Sequence, residues 1–373
     1  MIKILFLIHD LGPGGAEKVL INLVNNMNKD VFDITVMSLF GSGINEQFLS
    51  PDIKYKVIYK KPFPKNSQIM KIFSPELLHK SYIREKYDIE VAYLEGPSAR
   101  VISGCREPST KLISWIHVEQ HTKKTAAVSF RSFRESEACY TKFNAITAVS
   151  ESVKHDFQSL YPGIRNIKVL YNTIETEKIL KMKKEKVTEI GFSENAFKIC
   201  GVGKLVPVKG FMKIARIHKR LVDHGYPVHT YILGEGSERK KIERFIKENG
   251  IEETFTLLGY QTNPYKFMAK CDVFVCASRA EGFSTAATEA VIVNTPVIST
   301  PVSGMEELLG EDPCGVICGF KEQDLYRELK KWICDPALFE KYREKARTRA
   351  KKFSQEETVS STEAFFKSIW KQA

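Results

Sequence analysis

Apolar residues fall into short runs, and the polar stretches between them change the period of the pattern. Ile4 to Ile8 is an unbroken apolar run ended by His9 and Asp10. A glycine-rich segment follows, and then Val19, Leu20, Leu23, Val24 and Met27 recur at helical spacing. This predicts a strand, a loop and a helix. Ile34 to Leu39, Ile89 to Leu94, Lys111 to Ile116 and Ala145 to Val149 read as further strands alternating with polar or helical stretches. That alternation implies a mainly parallel sheet wrapped by helices. From Thr173 to Glu194 the chain turns polar and lysine-rich, as a domain junction does, and a second strand, loop and helix begin at Phe197. Val228 to Leu233, Thr254 to Leu257, Val273 to Ala277 and Pro296 to Ser299 carry the alternation on. The second half therefore repeats the α/β architecture of the first, with domains expected at 1–175 and 190–354. A chain of 373 residues, 43% of them hydrophobic, can bury two such cores.

Composition narrows the class. The formal charge of +11 suits nucleic acid, anionic lipid or phosphorylated ligands alike. The chain has no zinc-finger spacing and no aromatic RNA-binding motif, so nucleic acid is not expected as a partner. Eight cysteines lie scattered without a CxxC pair, which reads as buried thiols in a reducing cytoplasm. The apolar run near the start is too short to cross a bilayer and lacks a signal-peptide cleavage pattern.

The most specific chemistry lies in Ala280-Glu281-Gly-Phe283-Ser284-Thr285-Ala-Ala-Thr-Glu289-Ala, which follows a strand. Ser284 is placed to cap a helix that carries Glu289 one turn in. Unpaired amides at such a helix start, at Ser284, Thr285 and Ala286, can hold a diphosphate or a sugar hydroxyl, and Glu289 can accept ribose hydroxyls. In Gly201-Val-Gly-Lys204-Leu-Val-Pro-Val-Lys209-Gly210 a strand ends in a loop with two cations just ahead of a helix. Such ammonium groups can meet the charge that grows on a departing diphosphate, the task a divalent ion performs elsewhere. The loop Gly12-Pro-Gly14-Gly15-Ala-Glu17 clears side chains from a third helix start without matching GxGxxG.

Together these features resemble the retaining glycosyltransferases of family 4, whose GT-B fold has two facing Rossmann-like domains and a cleft between them. Glu281 and Glu289 fit the E-x(7)-E motif of that family, and Lys204 and Lys209 occupy its Arg/Lys and Lys positions. Lys204 stands where Arg is commoner, so bidentate phosphate contact is lost there. Gly234-Glu235-Gly236 and Leu258-Gly259-Tyr260 fit family loops. The resemblance implies that Tyr260 meets the base through its backbone, Gly15 faces the diphosphate and Glu281 lies near hydroxyls of the transferred sugar. It also implies that the segment 355–373 returns as a helix to the first domain, the acceptor domain. Transfer would proceed with retention and without a metal or other cofactor.

Two strand ends in the first half add acceptor-side candidates. His117 follows the strand ending in Trp115-Ile116, and related enzymes place a histidine there, beside the sugar's C6 hydroxyl or the acceptor. Glu95, in Tyr93-Leu-Glu-Gly96, occupies a comparable position and is expected to orient the acceptor. Two basic stretches interleaved with apolar groups, Lys65 to Lys80 and Lys123 to Arg134, suit an anionic membrane surface on the inner face of the cell membrane. The donor expected first is a UDP-sugar and second GDP-mannose, with a glycan or a lipid-diphosphate-linked saccharide as acceptor. Two other readings are epimerisation of a UDP-sugar on the same fold and a non-enzymatic basic module for membrane or nucleic acid.

Overall fold

The computed structural model describes residues 1–371 except Ser42 and Lys65. Lys65, which opens the first basic stretch, and the last two residues of the segment 355–373 lie outside the described residues. The chain forms two compact units, Met1–Thr173 joined by the chain from Gln355 onward, and Ile174–Ser354.

The first unit is built on seven parallel strands: β1 (Ile2–Ile8), β2 (Phe32–Phe40), β3 (Lys54–Tyr59), β4 (Ile89–Tyr93), β5 (Lys111–Ile116), β6 (Ala145–Ala148) and β7 (Ile167–Val169). Their order is β3-β2-β1-β4-β5-β6-β7. All of β1 is buried except Lys3, as expected of a strand with both faces covered. The strand order reverses between β1 and β4, which pair in register from Ile4 with Ile89. At such a reversal the crossovers diverge and leave a crevice beyond the carboxyl ends of the strands. One face is closed by the helix Gln355–Lys371, whose Phe366 meets Phe6 and Phe32 edge-on at ring-centroid distances of 5.8 and 6.4 Å.

The second unit has six parallel strands: β8 (Phe197–Val202), β9 (Val228–Leu233), β10 (Phe255–Gly259), β11 (Val273–Cys276), β12 (Val297–Ser299) and β13 (Gly315–Ile317). Their order, β10-β9-β8-β11-β12-β13, reverses between β8 and β11. The helix Phe211–Asp223 buries Phe211, Ile214, Ile217 and Leu221 at helical spacing against this sheet.

The lysine-rich stretch after Thr173, expected to be a junction, is folded onto the second unit. It carries the helix Thr176–Met182, which buries Ile179. Asn263 donates to the Met182 carbonyl and to Glu185, both at 2.9 Å. Two isoleucines, Ile174 and Ile179, sit in the core and hold a segment whose average composition is polar. The eight cysteines are free thiols. Among the described residues no helix is long and apolar enough to cross a membrane.

Candidate active site

In the second unit the loops leaving the carboxyl ends of the strands are stitched together backbone to backbone. Gly203 donates to the Leu233 carbonyl at 3.0 Å, Leu205 to Glu235 at 2.9 Å and Gly234 to Gly259 at 2.7 Å. Arg279 donates to Val208 at 2.8 Å. Glycine permits this knitting. Gly234 has φ +137, and a Cβ there would lie 1.9 Å from the Gly203 carbonyl oxygen. Gly210, at φ +71, would bring a Cβ within 2.3 Å of the Ala277 oxygen, and one on Gly236 would lie 2.4 Å from that of Leu205. These contacts are main chain on main chain, so neither side can yield cheaply.

On this platform Lys209 and Glu281 meet. The ammonium donates to both carboxylate oxygens, at 2.6 and 2.8 Å, and the Ser278 hydroxyl donates to Glu281 Oε1 at 2.6 Å. Both groups stand at the switch between β8 and β11. The helix Thr285–Ile292 starts two residues after Phe283, with Ser284 as its N-cap accepting from the Ala287 amide at 3.4 Å. Its first-turn amides at Thr285 and Ala286 have no carbonyl one turn back within the helix. Glu289 is buried in the same helix and accepts from the Tyr265 hydroxyl at 3.4 Å. Lys204 is exposed, and its ammonium bonds to no described residue. Of the two lysines read from the sequence, Lys209 is therefore the one locked in place. Tyr260 follows β10 with its ring partly exposed. Ser278, three residues before Glu281, was not anticipated, since a serine in a loop carries no pattern of its own.

In the first unit Gly14 is the N-cap of the helix Gly15–Asn26. The loop before it is held by Asp10, which accepts from the Gly12 amide at 2.7 Å, and by Asn45, which donates to the Gly12 carbonyl at 2.5 Å. Glu95 accepts from the His117 amide at 2.9 Å, and burial raises its pKa despite that bond. His117 itself is buried, and burial lowers its pKa to about 3, so the imidazole is neutral near pH 7. Among the described residues its Nε2 has no hydrogen-bond partner, nor do the Tyr93 hydroxyl and the Trp115 indole N–H. The three rings adjoin, with centroids 4.7 Å apart for Tyr93 and His117 and 5.0 Å for Tyr93 and Trp115. Buried polar atoms without partners are rare in native folds and concentrate where a ligand or water completes them. Tyr93 and Trp115 were not anticipated from sequence, where both read as strand core.

Models for group 1 glycosyl transferases and for glycosyltransferase family 4 match residues 182–353 and 13–178. The chain belongs to the group 1/family 4 glycosyltransferases. Its membership sets aside the non-enzymatic reading and favours transfer over epimerisation. This glycosyltransferase is 29% identical to the Campylobacter jejuni N-acetylgalactosamine-N,N'-diacetylbacillosaminyl-diphospho-undecaprenol 4-alpha-N-acetylgalactosaminyltransferase, over 95% of this chain and 96% of that protein. It is 26% identical to the Staphylococcus aureus poly(ribitol-phosphate) alpha-N-acetylglucosaminyltransferase, over 66% of this chain and 47% of that protein. The structure of Anabaena HepE in complex with UDP and glucose superposes with a TM-score of 0.77 at 19% identity, covering 99% of this chain and all of that one. The glycosyltransferase thus has the two-domain α/β GT-B fold.

Proposed function

We propose that this glycosyltransferase moves a sugar, with retention, from a nucleoside diphosphate sugar to a lipid-diphosphate-linked saccharide. UDP-sugars come first as donors and GDP-mannose second. The observation that carries the donor side is the Lys209–Glu281–Ser278 chain beside the start of the helix Thr285–Ile292. It offers a fixed cation and unpaired amides to a diphosphate, with a carboxylate for sugar hydroxyls. In the step, the bond from the sugar C1 to the diphosphate oxygen breaks while the acceptor hydroxyl oxygen bonds to C1. The hydroxyl proton passes to the departing diphosphate. Lys209, Lys204, the Gly15 amide and the amides at Ser284 and Thr285 would meet the charge on that leaving group. Gly14, Gly234, Gly236 and Phe283 shape the donor loops, Tyr260 takes the base and Glu289 the ribose. Neutral His117 can bond a sugar or acceptor hydroxyl through Nε2, with Glu95 fixing its backbone.

The acceptor class is supported by the C. jejuni relative, named for a diphospho-undecaprenol substrate, and UDP as donor nucleotide by the bound UDP in Anabaena HepE. It is also supported by a surface on the first unit. Ile72 and Val128 are 70% and 61% exposed there, with Phe73 and Leu77 also exposed. Arg131 joins the two basic stretches by donating to the Lys71 and Ile72 carbonyls at 2.6 and 2.7 Å. Apolar side chains flanked by cations suit an anionic bilayer surface.

Thermal unfolding of the wild type and Glu289→Ala with UDP, GDP and their sugars tests the donor site, because a ligand of the native state raises stability by mass action. The expected result is a rise with UDP that shrinks in the variant. A wild type unmoved by any nucleotide, and inert with UDP- and GDP-sugars on lipid-linked saccharides, would overturn the proposal.

A further inference from the structure

The second unit holds a cavity of about 260 Å³ lined by Lys183, Lys184, Lys270, Arg343 and Arg347, with Ala269, Cys271, Val293 and Asn294 completing its wall. Among the described residues no carboxylate lines it. Lys270 and Cys271 precede β11 with Asp272 between, and Val293 and Asn294 precede β12, so the cavity lies at the amino ends of these strands. The Ser278–Glu281 loop leaves the opposite, carboxyl end of β11. The cavity is therefore separate from the candidate donor site, with the sheet between them.

Ordinary structural roles account for part of this charge. Helices end at Met182, Met268 and Ile292 beside the cavity, and cations complement the partial negative charge of helix carboxyl ends. Arg343 and Arg347 pair with Glu340 and Glu344 at 3.4 and 2.6 Å, although those acids are 63% and 65% exposed. The acids adjoining the lining residues in sequence are engaged elsewhere: Glu185 accepts from Asn263 at 2.9 Å, and Asp272 accepts from the Lys198 amide at 2.7 Å. Lys183, Lys184 and Lys270 have no carboxylate partner among the described residues. Burial, and then repulsion from Lys184 and Arg347, lowers the Lys183 pKa below its ordinary value. Lys184, Lys270 and Arg347 reach solvent, so the like charge bears chiefly on half-buried Lys183, an arrangement that an anion seated among them relieves.

We propose that this cavity is a binding site for an anionic phosphate group, either a free diphosphate or the headgroup of an anionic phospholipid. The guanidinium forks of Arg343 and Arg347 suit bidentate contact with phosphate oxygens, and the three ammonium groups add point charges around them. An occupant would tie the end of the helix Thr176–Met182 to the helix Pro336–Ala350 and stabilise the second unit. Its site would work independently of the donor site assigned above.

The test uses the full chain, with inorganic pyrophosphate as one probe and phosphatidylglycerol vesicles as the other. Thermal unfolding is followed for the wild type, Lys183→Gln/Lys270→Gln and Lys209→Met. The expected results are a rise in Tm with pyrophosphate, or salt-sensitive co-flotation with vesicles. Either should be weakened on the order of a hundredfold in Lys183→Gln/Lys270→Gln, which loses two charge-assisted contacts, and kept in Lys209→Met. The UDP-induced shift should be the same in Lys183→Gln/Lys270→Gln as in the wild type, and that variant without ligand should be at least as stable, because repulsion is relieved. A response to pyrophosphate identifies a free diphosphate as ligand, and a response to vesicles alone that is lost in Lys183→Gln/Lys270→Gln identifies the headgroup, whereas vesicle binding that survives in that variant belongs to the basic surface of the first unit and overturns the proposal. A pyrophosphate shift that survives in Lys183→Gln/Lys270→Gln but vanishes in Lys209→Met belongs to the donor site and overturns the proposal. So does a wild type unmoved by both probes.

Discussion

Replacing Lys209 by Met separates what the lysine does for the fold from what it does for the reaction. Unit charges roughly 3 Å apart attract by about 6 kcal/mol at an effective dielectric constant near 20, before desolvation is counted. The Lys209 side chain is 29% exposed and that of Glu281 11%. Water therefore screens part of the attraction, and desolvation cancels more of it. What Lys209→Met leaves behind is a largely buried carboxylate whose only remaining hydrogen-bond partner among the described residues is the Ser278 hydroxyl. That should cost about 2 kcal/mol, below the loss for a fully buried pair, and lower Tm by roughly 4–8 °C. Turnover at saturating donor should fall on the order of a hundredfold, as for other preorganised charges at a developing anion. The assay compares Lys209→Met, Glu281→Gln and the double variant by thermal unfolding and by single-turnover transfer. In the double variant the stranded charge is gone, so most of the stability should return while turnover stays low. A double variant whose turnover recovers along with its Tm would show that Lys209 merely neutralises Glu281. Near wild-type turnover in Lys209→Met would refute the argument outright.

Other expectations follow from two hydrogen-bonded histidines and from close backbone contacts. His79 donates to buried Glu90 at 2.8 Å; burial pulls its pKa down, but bonds to Cys105 and Glu90 outweigh this and raise it to about 9. A pKa raised from 6.5 on folding gives stability that is complete below pH 6.5 and fades as pH rises through about 9, in total about 3 kcal/mol. His79→Gln should remove that alkaline decline from a Tm against pH curve. His218, bonded to Thr230 and Thr254 at 2.9 Å each, shifts the opposite way, to about 3 through burial. The second unit should lose stability as pH falls from 6.5 toward 3, by up to about 1.4 kcal/mol per pH unit, and His218→Gln should flatten that acid limb in calorimetry. Gly234→Ala should cost roughly 2–4 kcal/mol in urea unfolding through strain and collision. Gly225→Ala should cost only about 1 kcal/mol, because Gly225 shares a positive φ of +75 but has open space around it. Equal losses in the two glycine variants would show that the Gly203 carbonyl moves aside freely.

The central strands were legible because both faces of a parallel sheet demand unbroken apolar runs, and Lys111–Ile116 and Val228–Leu233 were read to the residue. The strands that escaped notice, β3, β7 and β13, are all sheet edges. β3 has no fully buried position and no alternation, while β7 and β13 have three residues each, too few to establish a period. At the candidate site, Glu281 and Lys209 each stood out locally. Their mutual bond spans 72 positions and exists only once the sheet reverses direction between β8 and β11. The unpartnered Tyr93 and Trp115 atoms were hidden for a related reason. Trp115 is enclosed partly by Phe366, at 6.5 Å between ring centroids, from a helix at the far end of the sequence.

That helix also sets a timetable for synthesis. Phe6 and Phe32 emerge from the ribosome long before Phe366 can cover them, because the whole of the second unit must be translated first. At ordinary elongation rates the interval from Thr173, where the first unit's strands are complete, to Phe366 is about 10–40 s. Throughout it the first sheet has an uncovered apolar face, whereas the second unit, continuous in sequence, can fold as soon as it is made. The half that is translated first is therefore the half completed last, and its nascent sheet is where a holding chaperone would be needed.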